Sequence, residues 1–280
     1  MTVNHAYIDL EKYPIHQPES TAFAALLKQV QSKLAEDGCA VLKGFLTPAG
    51  VDATRREADE QSDNAFSSEE KTNAYFGQDD PSLPSTHPVR QFYQRSNAFI
   101  PADNFVADGP LRSIHDAPGF DDFIRNCLQA KQFHRYADPL ADVIINQAKA
   151  GNGFPWHFDT NNFTVTLAIQ NAEQGGEFEY AANIRSDGEN FETVQAVLEE
   201  RSDQVTRLVL EPGDLQLFKG RYSLHRVAPL RGERKRYVAI FSYVEQPDMV
   251  GSPERTRQLY GRVLPVHLAR AGMRKDAFID

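Results

Sequence analysis

The sequence predicts an α+β fold in which a β-sandwich or closed jelly roll is flanked by helices. About eight short β-rich segments lie between residues 142 and 244, with turn signals such as Glu211-Pro212-Gly213-Asp214 among them. Evenly punctuated short strands are typical of sandwiches and jelly rolls. Helical spacing of apolar residues precedes this region, and Ser252-Pro253 is a helix start signal after it. We therefore expect a β-core with helices before and after it in the chain.

The composition favours a globular protein of the cytoplasm. Of the 280 residues, 41% are hydrophobic and 25% are charged, an ordinary balance with ample material for a core. The formal net charge of −9 argues against a nucleic-acid partner. No signal peptide is visible in the polar stretch from Met1 to Pro14, and no apolar run reaches the length of a membrane span. Cys39 and Cys127 are the only cysteines and predict buried thiols.

Several elements are predicted upstream of the β-core. A helix from Thr21 to Glu36 has apolar residues at helical spacing, and Gly38 is a stop signal just beyond it. A strand over 39–42 follows. Thr47-Pro48 then opens a second helix, with Thr47 as N-cap and Pro48 at the first helical position, where its missing N–H costs nothing.

The stretch 63–90 is polar and has no sustained period. It predicts a loop region around one short helix after Ser67-Ser68-Glu69-Glu70. A long irregular segment inside a compact domain is either a functional lid or a surface excursion, and both interpretations stay open. Residues 90–95 predict a strand, and apolar spacing from Phe120 to Phe133 predicts an amphipathic helix.

These elements divide the chain into three parts of one integrated domain. Residues 1–140 are expected to form a helical and loop region that packs on the barrel. Residues 141–246 are expected to form the β-core. Residues 247–280 are expected to hold a C-terminal helix, interrupted at Pro265.

A candidate metal site combines His157-Phe158-Asp159 with the distant His225. Side chains alternate along an extended segment with a period of two, so His157 and Asp159 share one face. Two histidines and one carboxylate leave part of a metal's coordination sphere open, as expected of a non-haem Fe(II) oxygenase. A catalytic zinc site with the same ligand set is the alternative.

Arg236 is the residue that favours iron with a dicarboxylate co-substrate. It opens the strand after His225 and would share a face with Val238 and Ile240. An arginine offers a planar fork for a carboxylate, so one fixed beside the metal could bind the distal carboxylate of 2-oxoglutarate. Arg234 lies two residues earlier, on the same face of an extended segment, and remains a second candidate for binding 2-oxoglutarate.

Four segments together resemble the Fe(II)/2-oxoglutarate-dependent dioxygenase superfamily. They are Trp-His-Phe-Asp at 156–159, Gly-Gly-Glu-Phe-Glu-Tyr at 175–180, Pro-Gly-Asp-Leu-Gln-Leu-Phe at 212–218, and the basic segment 225–236. The resemblance implies that about 140–245 forms a cupin-like double-stranded β-helix, the jelly roll of that superfamily. Upstream, residues 37–46 look like its entry strand.

Within the superfamily, the chain looks most similar to the bacterial group of free-amino-acid halogenases and their hydroxylase relatives. Halogenases of that group have a small residue in place of the metal carboxylate, which opens a site for chloride. Asp159 fills that place here, so the resemblance implies hydroxylation or a related oxidation. Phe154 and Thr160 depart from the polar or charged groups of lysine-specific members, which argues against lysine as substrate.

The resemblance implies that His157, Asp159 and His225 hold Fe(II) and that Arg236 binds 2-oxoglutarate. Dioxygen and a small amino-acid-like molecule would be the other reactants, with succinate and CO2 released. Asn146 and Thr166 could hydrogen-bond the co-substrate, although structural roles suit both. Arg95 is the candidate for a substrate carboxylate, with a surface ion pair as its alternative. A protein side chain or larger metabolite as substrate, and a non-catalytic or zinc-binding β-barrel, are the competing functions.

Overall fold

A computed structural model describes residues 5–270 of the chain. Its helices are α1 (Thr21–Asp37), α2 (Pro48–Gln61), α3 (Pro110–His115), α4 (Phe120–Leu128), α5 (Phe191–Leu198), α6 (Pro253–Tyr260) and α7 (Pro265–Ala269). Its strands are β1 (Cys39–Leu42), β2 (Phe66–Thr72), β3 (Tyr93–Ile100), β4 (His134–Arg135), β5 (Val143–Ala148), β6 (Phe154–His157), β7 (Thr164–Gln170), β8 (Gln174–Gly175), β9 (Phe178–Ala181), β10 (Val205–Leu208), β11 (Leu215–Phe218), β12 (Leu224–Val227), β13 (Leu230–Arg231), β14 (Arg236–Phe241) and β15 (Tyr243–Val244).

Two antiparallel sheets form the predicted jelly roll. The larger sheet has the strand order β1-β11-β7-β14-β5-β3-β2, and the smaller one has the order β10-β9-β12-β6. Most strands that pair in a sheet are not consecutive in the sequence, so the chain crosses between the two sheets. This is expected of a jelly roll and not of a β-meander. Two short pairs, β13–β8 and β15–β4, complete the described pairing.

The two faces of the larger sheet differ in chemistry. Ile145, Ala239, Leu167 and Leu215 are cross-strand partners on one face and belong to the main apolar cluster with residues of α1 and α4. Side chains alternate between faces along each strand, so the neighbouring positions point into the space between the sheets. That inner face carries polar groups on four adjacent strands: Asn146, Thr166, Gln216 and Arg236.

The first helix follows from local signals in its sequence. The Ser20 side chain accepts a hydrogen bond from the Phe23 N–H at 3.1 Å and caps the start of α1. Gly38 ends the helix with φ +63°, a left-handed conformation that a glycine adopts without strain. Phe23 and Leu34 lie on the buried face, and Phe23 packs edge-on against Phe123 of α4.

Helices α2 and α6 begin in the way that the sequence predicts. Thr47 accepts from the Gly50 N–H at 3.1 Å, and Ser252 accepts from the Arg255 N–H at 3.2 Å. A proline follows each cap at the first helical position. The helix opened by Ser252 ends at Tyr260, and Pro265 starts α7, so the predicted interruption of the C-terminal helix is confirmed.

The short helix predicted after Ser67-Ser68-Glu69-Glu70 is wrong. These residues lie in β2, which pairs with β3 over its whole length, from Phe66 opposite Phe99 to Thr72 opposite Tyr93. Serines followed by acidic residues imitate a helix start, but pairing with a neighbouring strand overrides that local preference. The predicted strand over 90–95 begins later, at Tyr93, and the predicted helix from Phe120 ends at Leu128.

Strands from the N-terminal part of the chain complete the larger sheet. β1 pairs with β11 at one edge, and β3 pairs with β5 and carries β2 at the other edge. The division at residue 140 stays a prediction, and the larger sheet extends across it. Between residues 5 and 270, no helix is long and apolar enough to cross a membrane.

Candidate active site

Two histidines from neighbouring strands face each other in the smaller sheet. His157 is the last residue of β6, and His225 is its direct partner on β12. Direct partners in an antiparallel pair point to the same side, so both imidazoles enter the space between the sheets. Their ring centroids lie 4.2 Å apart, and both side chains are buried.

Asp159 completes the cluster two residues after His157. Its Oδ1 lies 3.6 Å from His157 Nε2 and 3.3 Å from His225 Nε2. The ligand atoms of the three residues all lie within 4.8 Å of one another. No other set of three such side chains that could hold a metal ion is found between residues 5 and 270.

Backbone carbonyls orient both imidazoles. His157 Nδ1 lies 2.8 Å from the Pro155 carbonyl oxygen, and His225 Nδ1 lies 3.0 Å from that of Ser223. A carbonyl can only accept, so each Nδ1 carries a proton, and Nε2, which faces Asp159, is the nitrogen of each ring that is available to a metal. Hydrogen bonds of this type fix the tautomer of metal-binding histidines.

The second oxygen of Asp159 is held away from the histidines. Thr164 Oγ1 donates a hydrogen bond to Asp159 Oδ2, and the Asp159 N–H donates to the Gly220 carbonyl at 3.0 Å. The carboxylate therefore has one oxygen anchored by the protein and one directed at the two Nε2 atoms.

The protonation states of this cluster suit a cation. Burial, the neighbouring His225 and the nearby Arg95 hold the pKa of His157 well below its usual value, so its imidazole is neutral at pH 7. Burial opposes ionisation of Asp159. However, His225, His157 and the Thr164 hydroxyl outweigh it and lower the pKa of Asp159, which keeps that carboxyl ionised.

These residues fit a divalent metal such as iron. Two imidazole nitrogens and one carboxylate oxygen converge from one side, which is the two-histidine, one-carboxylate set of non-haem Fe(II) oxygenases. Aromatic rings pack around the histidines: Phe218 and Phe178 lie 4.9 and 5.5 Å from the His225 ring, and Phe76 lies 5.5 Å from the His157 ring. The same ligand atoms could hold zinc, so geometry alone leaves the metal open.

Arg236 lies inside the barrel, on the strand face that it shares with Val238 and Ile240, as the alternation of side chains predicts. It is 7% exposed, and no carboxylate of a described residue lies within ion-pair distance of its guanidinium. Burial lowers the pKa of Arg236 to about 10, so it remains charged at pH 7. It lines a cavity with Gly176 and Phe178, and the Phe178 ring also contacts the His225 ring. Phe178 thus contacts both a candidate metal ligand and the cavity that the buried guanidinium of Arg236 lines.

Arg234 occupies a different environment. Its side chain is exposed and donates to the carbonyl oxygens of Asn171 at 2.9 Å and Ala172 at 3.1 Å. The guanidinium is therefore engaged at the surface, and of the two arginine candidates only Arg236 is buried.

Asn146 and Thr166 lie on the inner face of the larger sheet, and both have protein partners. Thr166 Oγ1 donates to Gln216 Oε1 at 2.9 Å. Asn146 Nδ2 donates weakly to the Ala98 carbonyl at 3.4 Å. The two side chains are positioned to contact a ligand in the barrel, but their hydrogen bonds also fit the structural roles considered from the sequence.

Arg95 is buried and is not part of an ordinary surface ion pair. It is 5% exposed, and its guanidinium carbon lies 4.5 Å from the Phe76 ring centroid and 5.3 Å from that of Phe154. The Nε and Nη1 atoms have no hydrogen-bond partner among the described residues. The nearest acid, Glu70, reaches only 4.0 Å.

Three residues of this region escaped the sequence reasoning. The sequence places Glu70 beside a predicted helix, Phe76 in an irregular loop and Arg255 in the C-terminal helix, and it assigns no role to any of them. Phe76 has φ +58°, which is rare for an aromatic residue, and its ring touches His157, Arg95 and Arg255. Nothing in the local sequence marks these positions, because their proximity arises from the pairing of β2 with β3 and the docking of α6.

Solved structures with this architecture include an epimerase, a carbocyclase and a prolyl hydroxylase. The non-haem α-ketoglutarate-dependent epimerase SnoN from nogalamycin biosynthesis has a TM-score of 0.55 and 12% identity, covering 79% of this chain and 82% of that one. The carbocyclase SnoK from the same biosynthesis has a TM-score of 0.53 and 13% identity, covering 78% of this chain and 83% of that one. A prolyl hydroxylase from Trichoplax adhaerens has a TM-score of 0.51 and 15% identity, covering 81% of this chain and 94% of that one. At such low identities these likenesses concern the fold.

The chain has the fold of these enzymes, and its His-Asp-His set is the one that the sequence motifs predict for the Fe(II)/2-oxoglutarate oxygenase superfamily. Within it, the chain belongs to the halogenase D family, whose model matches residues 24–260. No curated protein sequence matches the chain.

Proposed function

We propose that this protein is an Fe(II)- and 2-oxoglutarate-dependent oxygenase that hydroxylates an unactivated C–H bond of a small, amino-acid-like substrate. Succinate and CO2 would be the co-products of 2-oxoglutarate. One observation carries the proposal: the His157–Asp159–His225 cluster shares a barrel interior with Arg236, a buried arginine that has no acidic partner among the described residues.

The three ligands are preorganised for the metal. Each imidazole is fixed by a carbonyl at Nδ1, and Asp159 is fixed by Thr164 and the backbone of Gly220. When bound, iron with 2-oxoglutarate and dioxygen would supply the oxidant that removes hydrogen from the substrate. The protein's own contribution is to hold these groups in place and to exclude water with the Phe178 and Phe218 rings.

Arg236 supplies the binding energy for the far carboxylate of 2-oxoglutarate. A guanidinium can donate two parallel hydrogen bonds to a carboxylate, and such charge-assisted bonds are strongest where water is excluded. The Gly176 backbone approaches its side chain closely, with a Cβ at that position falling 3.2 Å from Arg236 Cδ. The arginine is thereby held against one wall of the cavity.

Asp159 supports oxygen insertion over halogenation, although the family is named for a halogenase. A halide ligand would need the place that Asp159 Oδ1 takes beside the two Nε2 atoms. The likeness to an epimerase and a carbocyclase shows that this fold accommodates other oxidative outcomes in other proteins. Product analysis decides among them, and a gain of one oxygen is the outcome proposed here.

A small substrate fits the enclosed position of Arg95. This guanidinium is 5% exposed, so its unpaired donors can be reached only by a group that enters the protein interior. A protein side chain or a larger metabolite is the second candidate, favoured by the irregular segment 73–92 that borders the site through Phe76. The cytoplasmic location stays a prediction.

The test is anaerobic addition of Fe(II) and 2-oxoglutarate to the purified protein. We expect a weak visible charge-transfer band that is absent in His157→Ala and present in His16→Ala, whose histidine is exposed on the surface. Exposure to air with a metabolite pool should then give succinate and a product heavier by one oxygen. Metal binding without the band, or turnover that does not need 2-oxoglutarate, would overturn the proposal.

A further inference from the structure

Unsatisfied polar atoms are concentrated on the β2–β3 hairpin beside the metal cluster. Ser68 Oγ and Glu70 Oε1 on β2, and Nε and Nη1 of Arg95 on β3, are buried without a hydrogen-bond partner among the described residues. Leaving one such group unpaired costs about 1–3 kcal/mol, and more for a charged group. Several of them on one hairpin are readily explained by a ligand that provides the missing partners.

A second arginine reaches this hairpin from the C-terminal helix. Arg255 of α6 places its guanidinium carbon 4.8 Å from the Phe76 ring centroid, while that of Arg95 lies 4.5 Å from the same centroid. The two arginines therefore converge on one aromatic ring. Burial, followed by the charge of Arg255, lowers the pKa of Arg95 to about 9, so Arg95 remains charged at pH 7. Burial also lowers the pKa of Arg255.

Glu70 only partly compensates these charges. Its Oε1 lies 4.0 Å from Arg95 Nη1 and 3.8 Å from Arg255 Nη1, too far for a hydrogen bond to either. The single negative charge of Glu70 faces the two positive charges of Arg95 and Arg255, so these three side chains have a net charge of about +1. The Arg255 side chain is 30% exposed and donates to Gln258 Oε1 at 2.8 Å, so the unpaired buried donors are those of Arg95. A buried charge without a hydrogen-bonded partner is strongly unfavourable, and a bound anion would relieve it.

We propose that Arg95 and Arg255 together form an anion-binding subsite that takes a carboxylate of the substrate, with Glu70 as the internal counter-ion that this carboxylate displaces. The inference rests on the proposed function, since the ligand is the molecule that the iron centre oxidises. It makes Arg255, outside the jelly roll, a substrate-binding residue.

Phe76 connects this subsite to the metal cluster. Its ring lies 5.5 Å from that of His157, and the charge of Asp159 is felt by both arginines. Asn73 holds the loop in place, because its Oδ1 accepts from the N–H groups of Tyr75 and Gly77 at 3.0 and 3.1 Å. A carboxylate bound here would lie beside the metal ligands and would not compete with 2-oxoglutarate for Arg236.

The test uses the anaerobic protein loaded with Fe(II) and 2-oxoglutarate. The standard free amino acids, each paired with its C-terminal amide and its N-acetyl derivative, are added while the visible band and the unfolding temperature are recorded. Ligands with a free carboxylate should perturb both signals, whereas amidation should weaken the response at least tenfold. Equal responses to an acid and its amide would overturn the inference.

Variants of the subsite give a second readout. Arg255→Gln should weaken binding of the best acid at least tenfold, Arg255→Lys should weaken it less, and Arg257→Gln on the exposed face of the same helix should leave it unchanged. Glu70→Gln removes the competing carboxylate and should preserve or strengthen binding. An unchanged affinity in Arg255→Gln, or a loss in Glu70→Gln as large as in Arg255→Gln, would contradict the assigned roles.

The two proposals fail in different ways. If no acid perturbs a protein that forms the visible band, the anion subsite is overturned and the oxygenase assignment stands. If the band never forms, but calorimetry detects acids and not amides, the subsite stands and the oxygenase assignment falls. Circular dichroism of each variant separates lost binding from lost folding.

Discussion

Gly220 and Asp159 approach each other so closely that no side chain fits between them. A Cβ built on Gly220 would lie 1.8 Å from Asp159 Oδ2, while the Asp159 N–H donates to the Gly220 carbonyl at 3.0 Å. The candidate metal carboxylate is thus positioned partly by the absence of a side chain on a neighbouring loop. Glycine is required here for space, since its φ is not left-handed.

Gly220→Ala should displace the Asp159 carboxylate from Thr164 and from the two histidines. Losing an orienting contact around a metal ligand typically costs about 10–100-fold in metal affinity or activity, and we expect an Fe(II) affinity lower by that order. Titration of the apo-protein with Fe(II) under argon measures it. Gly151→Ala serves as the control, since nothing lies within 4 Å of its Cβ position. Its φ of +81° costs some stability without reaching the metal cluster. Equal iron affinity in Gly220→Ala and the wild type would contradict the positioning role.

Arg236→Gln should raise the KM for 2-oxoglutarate at least tenfold with a smaller change in kcat at saturation, because the lost bonds are made equally in the bound and reacting states. Arg234→Gln is the matched control. That side chain bonds to the carbonyls of Asn171 and Ala172 at the surface, so its removal should leave the KM unchanged. Initial rates of succinate formation at varied 2-oxoglutarate give both constants. The opposite pattern would assign the co-substrate to Arg234.

Glu57 should make stability depend on pH. Burial raises the pKa of Glu57 from 4.5 to about 7, although its Oε2 accepts from the Leu111 N–H at 2.9 Å. A carboxyl with a raised pKa binds its proton more tightly in the folded state. Its contribution to stability is therefore fully present below pH 4.5 and is lost as the pH rises through about 7. Glu57→Gln can still accept a hydrogen bond from the Leu111 N–H, and it should reduce the dependence of the unfolding free energy on pH. Urea unfolding midpoints measured between pH 4.5 and about 7 would show this. A slope unchanged in the variant would assign it to other groups.

Local signals in the sequence were sufficient for several elements. The caps at Thr47 and Ser252 and the glycine stop at Gly38 predicted three helix ends correctly, because caps act within one turn. The jelly roll was predictable from the regular spacing of turns. His157, Asp159 and His225 could be chosen because two of them are fixed by period-two geometry and the third lies on a strand of the same β-region. Their role as metal ligands stays a prediction that the geometry supports.

Contacts between distant segments were not predictable in the same way. Glu70 lies opposite Arg95 only because β2 pairs with β3, and its local sequence favoured a helix. Arg255 reaches Phe76 because α6 docks against that hairpin, where the Gly261 backbone packs on the Phe66 ring. Such contacts depend on tertiary packing, which no window of a few residues contains.

The direct pairing of His157 with His225 has a consequence for how this chain can evolve. Successive side chains of a strand point to opposite faces, so a slip of β6 against β12 by one residue would turn one imidazole out of the barrel. Two backbone hydrogen bonds hold the turn that precedes β12. The Arg185 N–H donates to the Tyr222 carbonyl, and the Tyr222 N–H donates to the Lys219 carbonyl. Insertions and deletions between positions 219 and 224 that shift this register should therefore be rejected. Substitutions there that keep the spacing should be tolerated far more readily.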